Sequence, residues 1–190
     1  MISLQPDLVI ANKEENVKDQ VAQLAIKFPV WLTDVNTLKE GLQMIIDIGV
    51  ITGTQVPANN MVKDIKTAFG LLQQSPVKAA YLIWQNPFMA PGGDTFISDM
   101  MLHSGFTNVF AAATRYPEVT IDDIKESGCE LLLLSSEPYP FTEKHQKQIA
   151  GLLPGIKVML SDGEMFSWYG SRMLQAPAYF EKLYAEFTAN

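Results

Sequence analysis

Cysteine and histidine are scarce in this 190-residue sequence, which contains one cysteine and two histidines. The lone Cys129 excludes an intrachain disulfide and a metal site built from several cysteines. His103 falls in the predicted last turn of a helix, which indicates a structural role, and His145 lies on a charged helical stretch where we expect it to be solvated. We therefore predict neither a metal site formed by side chains nor a resident cofactor.

Basic residues and long apolar runs are also few. Lys and Arg number 14 against 21 Asp and Glu, and the net charge of −7 argues against a nucleic-acid partner, because phosphate binding needs a basic surface. No stretch approaches the roughly 18 consecutive apolar residues of a membrane span, and as written the chain carries no export signal. Hydrophobic residues nevertheless make up 47% of the chain, enough for a substantial core.

The common catalytic and nucleotide-binding motifs are missing too. The sequence contains no GxSxG, GxxxxGK[ST], GxGxxG or HExxH, and Gly92-Gly93 is too short a glycine run to cradle a phosphate. No set of nucleophile, base and acid is recognisable, so we expect a protein that is not an enzyme.

What is present begins with a β-α-β pattern. Short apolar strands are predicted at Leu8–Ala11 and Val30–Leu32, and the intervening Asn16–Phe28 has apolar residues at helical spacing. Such a unit is typical of a parallel sheet.

A long helical tract follows. Thr37 and Glu40 form a capping-box pattern, and apolar residues then recur at helical spacing as far as Leu72, with a pause at Gly53 and Pro57. A near-continuous helix of roughly 35 residues would be about 50 Å long. Periodicity leaves two interpretations open: a spacer between two lobes, or two amphipathic helices of one domain.

The rest of the chain alternates strands and helices, which predicts a second parallel sheet with helical crossovers. Asp94 is the predicted N-cap of one helix, Thr120 with Asp123 opens another, and the consecutive leucines from Leu131 to Leu134 indicate a strand buried on both faces. The predicted strands are Ala79–Trp84, Asn108–Phe110, Glu130–Ser135 and Lys157–Leu160, and the predicted helices are Thr95–Ser104, Thr120–Ser127, Thr142–Leu153, Tyr169–Leu174 and Ala176–Phe187.

Loops containing aromatic residues follow these four strands. Their sequences are QNPFMAPGG, AAATRYP, SEPYPF and SDGEMFSWYG. Ligands bind at the carboxyl ends of the strands in sheets of this kind, and rigid aromatic loops suit that task. We predict that the loops form a binding surface; the alternative is that their aromatic side chains pack on neighbouring helices as part of the core.

Several motifs resemble those of periplasmic substrate-binding proteins of ABC importers, in the helical-backbone class that binds vitamin B12, iron(III)-siderophores and haem. They are PDLVI followed by a turn and a helix, GDTFI, NVF, YPEVT, SEPYPF and DGEMFSWYGSR. The resemblance covers essentially the whole chain and implies an α/β fold with two Rossmann-like lobes, each with a parallel sheet, joined by a long helix. The expected segments are a partial N-terminal lobe at 1–35, a helical spacer at 36–76 and a C-terminal lobe at 77–190.

The resemblance also implies capture of a metal chelate, an iron(III)-siderophore or a cobalamin-like corrinoid, in an interlobe cleft and its delivery to a permease. Asp122 matches the acidic residue that the family offers to the permease. Arg172 has two partners open to it, an anionic group of the ligand or Glu164. Asn12 and Lys13 stand where the cobalamin binders have a tryptophan and an arginine, so the N-lobe stacking surface differs. The residues implied to contact the ligand are Asn12, Lys13, Trp84, Met89, Tyr116, Phe166, Trp168 and Arg172.

The family also has a segment before PDLVI that completes the first lobe, and we expect this chain to lack it, together with an export signal. The full-length form would be periplasmic or on the cell surface, and a homodimer would cover the open sheet edge. Two other interpretations remain. A cytoplasmic α/β enzyme, acting on a small substrate at the strand carboxyl ends, predicts a buried titratable pair with shifted pKa values. A self-associating structural fragment predicts loop aromatics buried against a second copy.

Overall fold

The first part of the chain forms a small β-α-β arrangement. The computed structural model describes residues 2–72 and 75–189 and divides the chain into two compact units, Met1–Val35 and Asn36–Asn190. The first unit contains a 3-10 turn at Ile2–Leu4, β1 (Val9–Asn12), α1 (Lys18–Ala25) and β2 (Val30–Thr33). Because β1 and β2 pair in parallel across α1, the predicted β-α-β unit is confirmed.

The predicted long helix is two helices that pack against each other, α2 (Leu38–Ile51) and α3 (Gln55–Gly70). The chain turns at Gly53, whose φ of +69° suits glycine. A Cβ built on Gly49 would lie 2.5 Å from the Cβ of Ala58, so the two helices approach closely where they meet. The prediction of one near-continuous helix of about 50 Å is therefore wrong.

Both helices pack on other elements of the second unit. The backbone N–H of Leu38 donates to the carboxylate of Asp99 at 2.6 Å, which satisfies one of the free N–H groups in the first turn of α2. In α3, the ring of Phe69 meets the ring of Phe180 edge-on, with centroids 6.2 Å apart. Whether the tract also acts as a spacer between lobes, and the division at 36–76 and 77–190, stay predictions.

A four-stranded parallel sheet forms the centre of the second unit. The elements that follow α3 are β3 (Val77–Leu82), β4 (Phe88–Met89), α4 (Phe96–His103), β5 (Phe106–Asn108), β6 (Glu118–Val119), α5 (Ile121–Glu126), β7 (Leu131–Ser135), α6 (Glu143–Leu152), β8 (Lys157–Ser161), α7 (Gly163–Ser167) and α8 (Ala176–Thr188). The sheet order is β5-β3-β7-β8, and β4 and β6 form a separate antiparallel pair. The leucines from Leu131 to Leu134 are fully buried, which confirms a strand covered on both faces.

One strand and one helix cap differ from the prediction. The strand expected at Asn108–Phe110 ends at Asn108 instead, because the buried Asn108 side chain donates to the carbonyl of Pro91 at 2.9 Å and accepts the N–H of Phe110 at 2.9 Å. The N-cap of α4 is Thr95, whose hydroxyl accepts a backbone N–H, rather than Asp94. These buried side-chain bonds end β5 and begin α4.

The stretch after β8 also differs. The helix expected at Tyr169–Leu174 is a 3-10 turn at Ser171–Leu174, and α7 precedes it. Asp162 caps α7 by accepting the N–H of Glu164 at 3.1 Å. Across residues 2–72 and 75–189, no helix combines the length and hydropathy needed to cross a membrane.

Candidate functional site

The carboxyl ends of the four parallel strands lie at one edge of the sheet, which we call the carboxyl edge. It consists of the segments 83–95, 109–120, 136–142 and 162–175, which follow β3, β5, β7 and β8. The first two are joined by β4 and β6 and by further backbone bonds, including Gly92 N–H to the carbonyl of Arg115 at 2.6 Å. A Cβ on Gly92 or Gly93 would collide with carbonyl oxygens of the second segment, so these glycines permit the close approach of the two loops.

Trp84 presents an exposed aromatic surface at this edge. Its side chain is 40% exposed, and its ring meets Tyr139 edge-on with centroids 5.7 Å apart. Tyr139 in turn packs against Phe141 and His145. Trp84 therefore rests on an aromatic cluster supplied by the loop after β7.

His145 is part of that cluster and of a helix cap. Its Nδ1 accepts the backbone N–H of Thr142 at 3.0 Å, and its Nε2 lies 3.3 Å from the Tyr139 hydroxyl. Nδ1 is therefore the acceptor in this cap, because the backbone N–H can only donate. His145 is thus half-buried rather than fully solvated, because its ring caps α6 and packs against Tyr139.

Trp168 is the second exposed tryptophan of the carboxyl edge, with 52% of its side chain accessible. Its Nε1–H donates to Oε1 of Glu137 at 2.6 Å, and the hydroxyl of Ser167 donates to the same oxygen at 2.8 Å. Glu137 lies in the loop after β7, as Tyr139 does. One loop therefore holds both exposed tryptophans of this edge.

Met89, Tyr116 and Arg172 lie in other parts of the carboxyl edge. Met89 pairs with Glu118 in the β4–β6 ladder and is half-buried, and Tyr116 is half-buried beneath the guanidinium of Arg115, 5.6 Å from the ring centroid. Arg172 pairs with Glu164, Nη2 to Oε2 at 2.5 Å, so the structure shows the second of the two partners left open by the sequence.

Phe166 is a core residue and not part of the exposed edge. Its side chain is fully buried, with ring centroids 5.1 Å from Tyr81 and 4.8 Å from Phe180. The prediction that Phe166 contacts the ligand is therefore wrong, because its ring has no accessible surface. The alternative reading of the loop aromatics, as core packing, holds for this residue.

Asn12 and Lys13 belong to the first unit. The Asn12 side-chain oxygen accepts the N–H groups of Glu14 and Glu15, which shapes the turn after β1, and Lys13 forms an ion pair with Asp34. Their contact with a ligand stays a prediction.

Asp122 lies in the first turn of α5, whose N-terminus is a reciprocal capping box. Thr120 accepts the N–H of Asp123, and the Asp123 carboxylate accepts the Thr120 N–H at 2.7 Å. The Asp122 side chain is 81% exposed and 3.1 Å from the ammonium of Lys125. Asp123 is engaged in the cap, whereas Asp122 points its charge to the surface.

The sequence did not single out Tyr81, Ser135 and Glu137, which connect the core to this edge. The Tyr81 hydroxyl donates to Ser135 Oγ at 3.0 Å, and Ser135 Oγ donates to the carbonyl of Glu137 at 2.5 Å. Burial raises the pKa of Tyr81 well above its ordinary value of 10.0. The only sequence signal was the polar Ser-Ser-Glu run directly after four leucines.

Metal-ligating side chains do not converge in the part of the chain that the structure describes. Within residues 2–72 and 75–189, no three His, Cys, Asp or Glu side chains are grouped so that they could hold a metal ion. The chemistry of the carboxyl edge is therefore that of aromatic faces, carboxylates and two guanidinium groups.

No protein-family model and no curated protein matches this sequence. The architecture, in contrast, matches solved structures. It is similar to the periplasmic vitamin B12-binding protein of Vibrio cholerae with a TM-score of 0.74 at 17% identity, over 100% of this chain and 78% of that one. The chain has the fold of these periplasmic binding proteins. The periplasmic haem-binding protein of Roseiflexus in apo form gives a TM-score of 0.77 at 16% identity, over 99% of this chain and 78% of that one.

A third solved structure of similar architecture is the ABC-type Fe3+-hydroxamate transport system of Saccharomonospora viridis. It has a TM-score of 0.70 at 18% identity, over 100% of this chain and 71% of that one. These matches confirm the α/β fold class and the resemblance at the level of fold. Identities this low leave ligand and partner to be argued from the residues themselves.

Proposed function

We propose that this chain is a substrate-binding component of an ABC importer, and that it captures a metal chelate, an iron(III)-siderophore or a cobalamin-like corrinoid. The observation that carries the proposal is the pair of exposed tryptophans, Trp84 and Trp168, at the carboxyl edge of a sheet with the periplasmic binding protein fold. Ligands of α/β sheets bind at this edge.

The two tryptophans suit a bulky ligand with flat or apolar faces. Large aromatic surfaces are costly to leave in water, and here the loop after β7 holds both of them partly exposed through Glu137 and Tyr139. Met89 and Tyr116 are the further proposed contacts from the neighbouring loops. Asn12 and Lys13, which belong to the first unit, are proposed ligand contacts in their own right. Arg172 would reach an anionic group of the ligand only by loosening its ion pair with Glu164.

The competing proposal of a cytoplasmic enzyme requires a reactive group at the same edge. Burial raises the pKa of Tyr81, so its phenol keeps its proton at neutral pH. It therefore acts as a hydrogen-bond donor to Ser135 and not as a base. Its partner Ser135 is 1% exposed and donates to the carbonyl of Glu137. The pair is arranged to hold the loop, since neither hydroxyl has access to a substrate.

The direct test is titration of the chain with haemin, cyanocobalamin and ferric siderophores by calorimetry. Trp84→Ala is expected to weaken the affinity for the bound chelate by about 1–3 kcal/mol without unfolding the protein, because its ring lies on the surface. Leu152→Ala, which truncates an exposed apolar side chain near the opposite edge of the sheet, should leave the affinity unchanged. Absence of binding to every chelate would refute the proposal.

Delivery to a permease is proposed to use Asp122, in a periplasmic or cell-surface location. Its exposed carboxylate is free of the capping box and suits a rim contact with a basic pocket. Asp122→Ala should leave chelate affinity unchanged and reduce uptake by the permease, whereas Glu126→Ala, at the other end of α5, should do neither. The homodimer expected from the sequence stays a prediction, which sedimentation of the chain would test.

A further inference from the structure

We propose that Glu137 is a positioning residue: its carboxylate fixes the orientation of the Trp168 indole and thereby sets the ligand affinity of the carboxyl edge. A tryptophan that is half exposed has little packing to hold it, yet its Nε1–H makes a 2.6 Å hydrogen bond to Glu137 Oε1. The effect on affinity rests on the proposed function, whereas the orientation of Trp168 is a property of the free protein.

The backbone of Glu137 is itself fixed from the core. Ser135 Oγ donates to the carbonyl of Glu137 at 2.5 Å and accepts its N–H at 3.3 Å. The fully buried Tyr81 donates to the same Ser135 oxygen. Two almost fully buried side chains, Tyr81 and Ser135, therefore fix the position of the Glu137 backbone.

The direction of the Glu137 side chain is set by Gly163, the first residue of α7. A Cβ on Gly163 would lie 2.5 Å from both Glu137 Cγ and Ser135 Oγ, so only glycine leaves room for the carboxylate stem. The stem crosses Gly163 and reaches the far end of α7, where Ser167 Oγ also donates to Oε1 at 2.8 Å. The Ser167 hydroxyl also lies 2.8 Å from the carbonyl of Gly163 and shares its proton between the two acceptors, so the indole N–H of Trp168 is the undivided donor to Oε1.

The chemistry of this contact predicts which substitution is tolerated. An ionised acceptor strengthens the indole hydrogen bond, and glutamine keeps an oxygen in the same place on a side chain of the same length. Alanine removes the acceptor and leaves the indole N–H to water. Glu137→Gln should therefore keep most of the restraint on the Trp168 indole that Glu137→Ala removes.

Orientation can be measured without any ligand. The sequence has three tryptophans, so Trp31→Phe and Trp84→Phe together leave Trp168 as the sole reporter. In that background Glu137→Ala is expected to raise acrylamide quenching of Trp168 by up to about twofold, since about half of the residue is already exposed, and to lower its anisotropy because the indole loses its hydrogen bond. Glu137→Gln and the exposed control Glu143→Ala should stay near the parent.

Gly163→Ala provides a second variant that leaves Glu137 in place but crowds its stem. It should raise Trp168 quenching as Glu137→Ala does. Unchanged quenching of Trp168 in Glu137→Ala would overturn the inference. If Glu137→Ala does not fold, unchanged quenching in Gly163→Ala would overturn it.

Ligand affinity supplies the second readout, with haemin, cyanocobalamin and a ferric trihydroxamate as probes. Glu137→Ala should weaken whichever probe binds by about threefold to tenfold, and this loss should vanish in a Trp168→Ala background, as a double-mutant cycle requires of a residue that acts through another. An equal loss in the Trp168→Ala background contradicts the inference. So does the absence of any loss in Glu137→Ala when Trp168 is present. Absence of binding in the parent chain refutes the proposed function, and the quenching series still decides the positioning of Trp168.

Discussion

At the scale of the single residue, Tyr81 makes the stability of this protein sensitive to alkaline pH. Its buried phenol has a raised pKa, so the protonated form contributes stability that is fully present below pH 10.0 and is lost as the pH rises above that value. Tyr81→Phe should cost about 1 kcal/mol at pH 7, because Ser135 loses a donor, and this cost should shrink or reverse near pH 11.

Urea unfolding of the two proteins at neutral and alkaline pH measures this difference. Tyr184→Phe is the control, since the Tyr184 hydroxyl donates to the carbonyl of Ser75 at an exposed site. A constant difference between Tyr81→Phe and the parent at both pH values would show that the buried phenol does not govern alkaline unfolding.

Single residues also show where sequence reasoning reached its limit at the site. Trp84, Trp168 and Glu164 were named from loop sequences, and the ion pair of Glu164 with Arg172 was one of two stated options. Phe166 was misassigned because a loop sequence does not reveal which aromatic ring turns inward. Glu137 was missed because its role depends on Gly163, which is distant in sequence and adjacent in space.

At the scale of the element, the capping box of α5 predicts a response to acid. The hydroxyl and the backbone N–H of Thr120 both donate to Asp123 and hold the pKa of that carboxyl below its ordinary value of 3.8. A lowered acid pKa contributes stability that is present above the ordinary value and is lost as the pH falls below it. Removal of the cap should therefore matter at pH 7 and progressively less below about pH 4.

Thr120→Ala tests this response, with an expected loss of about 1 kcal/mol in the free energy of unfolding at pH 7, the usual cost of an N-cap hydroxyl. Thermal unfolding of the variant and the parent should differ less as the pH falls to about 2.5, while the part due to the bond from the Asp123 N–H to the Thr120 hydroxyl persists, because that bond does not depend on pH. Asp122→Asn leaves the box intact and should cost less than Thr120→Ala at pH 7, because it removes only an exposed carboxylate 3.1 Å from the ammonium of Lys125. A difference of the same size at pH 7 and at low pH would contradict the assignment.

The contact between α2 and α3 predicts opposite effects for one substitution made at two glycines. Gly49→Ala places a Cβ 2.5 Å from that of Ala58 and should destabilise the protein by about 1–3 kcal/mol, in spite of the better helix propensity of alanine. Gly151→Ala in α6 meets open space and should stabilise it by up to about 1 kcal/mol. Adding Ala58→Gly to Gly49→Ala should restore the contact distance and part of the loss.

Chemical unfolding of these variants measures the contact directly. A neutral or stabilising Gly49→Ala would mean that the helices are not in close contact there. The same contact explains why the sequence left both interpretations of the tract open. Hydrophobic spacing is identical in a straight helix and in a pair that folds back, and the Gly53 turn and the Gly49–Ala58 approach distinguish them.

Strands were more predictable than helix packing at this scale. The run from Leu131 to Leu134 is typical of a strand covered on both faces, and the alternation of strands and helices around it favours parallel crossovers. The strand order β5-β3-β7-β8 could not be predicted from the sequence pattern, because it depends on how the strands and helices pack after they have formed. The ends of short elements such as β5 depended on buried polar side chains, which hydrophobic periodicity does not register.

At the scale of the whole molecule, the distribution of charge predicts which of the proposed chelates would associate fastest. The four segments of the carboxyl edge contain five acidic residues and two basic ones, in a chain with a net charge of −7. Both cations are engaged, Arg172 with Glu164 and Arg115 over the ring of Tyr116. A chelate without negative charge meets no repulsion at this edge, and a cationic one gains from the acidic field and the aromatic faces.

We therefore expect a ferric trihydroxamate with a protonated terminal amine to associate faster than its N-acetylated neutral form, by roughly tenfold at low ionic strength and with little difference in about 0.5 M salt. Stopped-flow fluorescence measures both rates with one chelate core. Glu118→Lys, at the edge, should reduce the preference more than Glu126→Lys, which changes the net charge equally at the far end of α5. Faster association of a succinylated, anionic form would show that the field of this edge does not select the ligand, since the three chelates differ in charge at a single group.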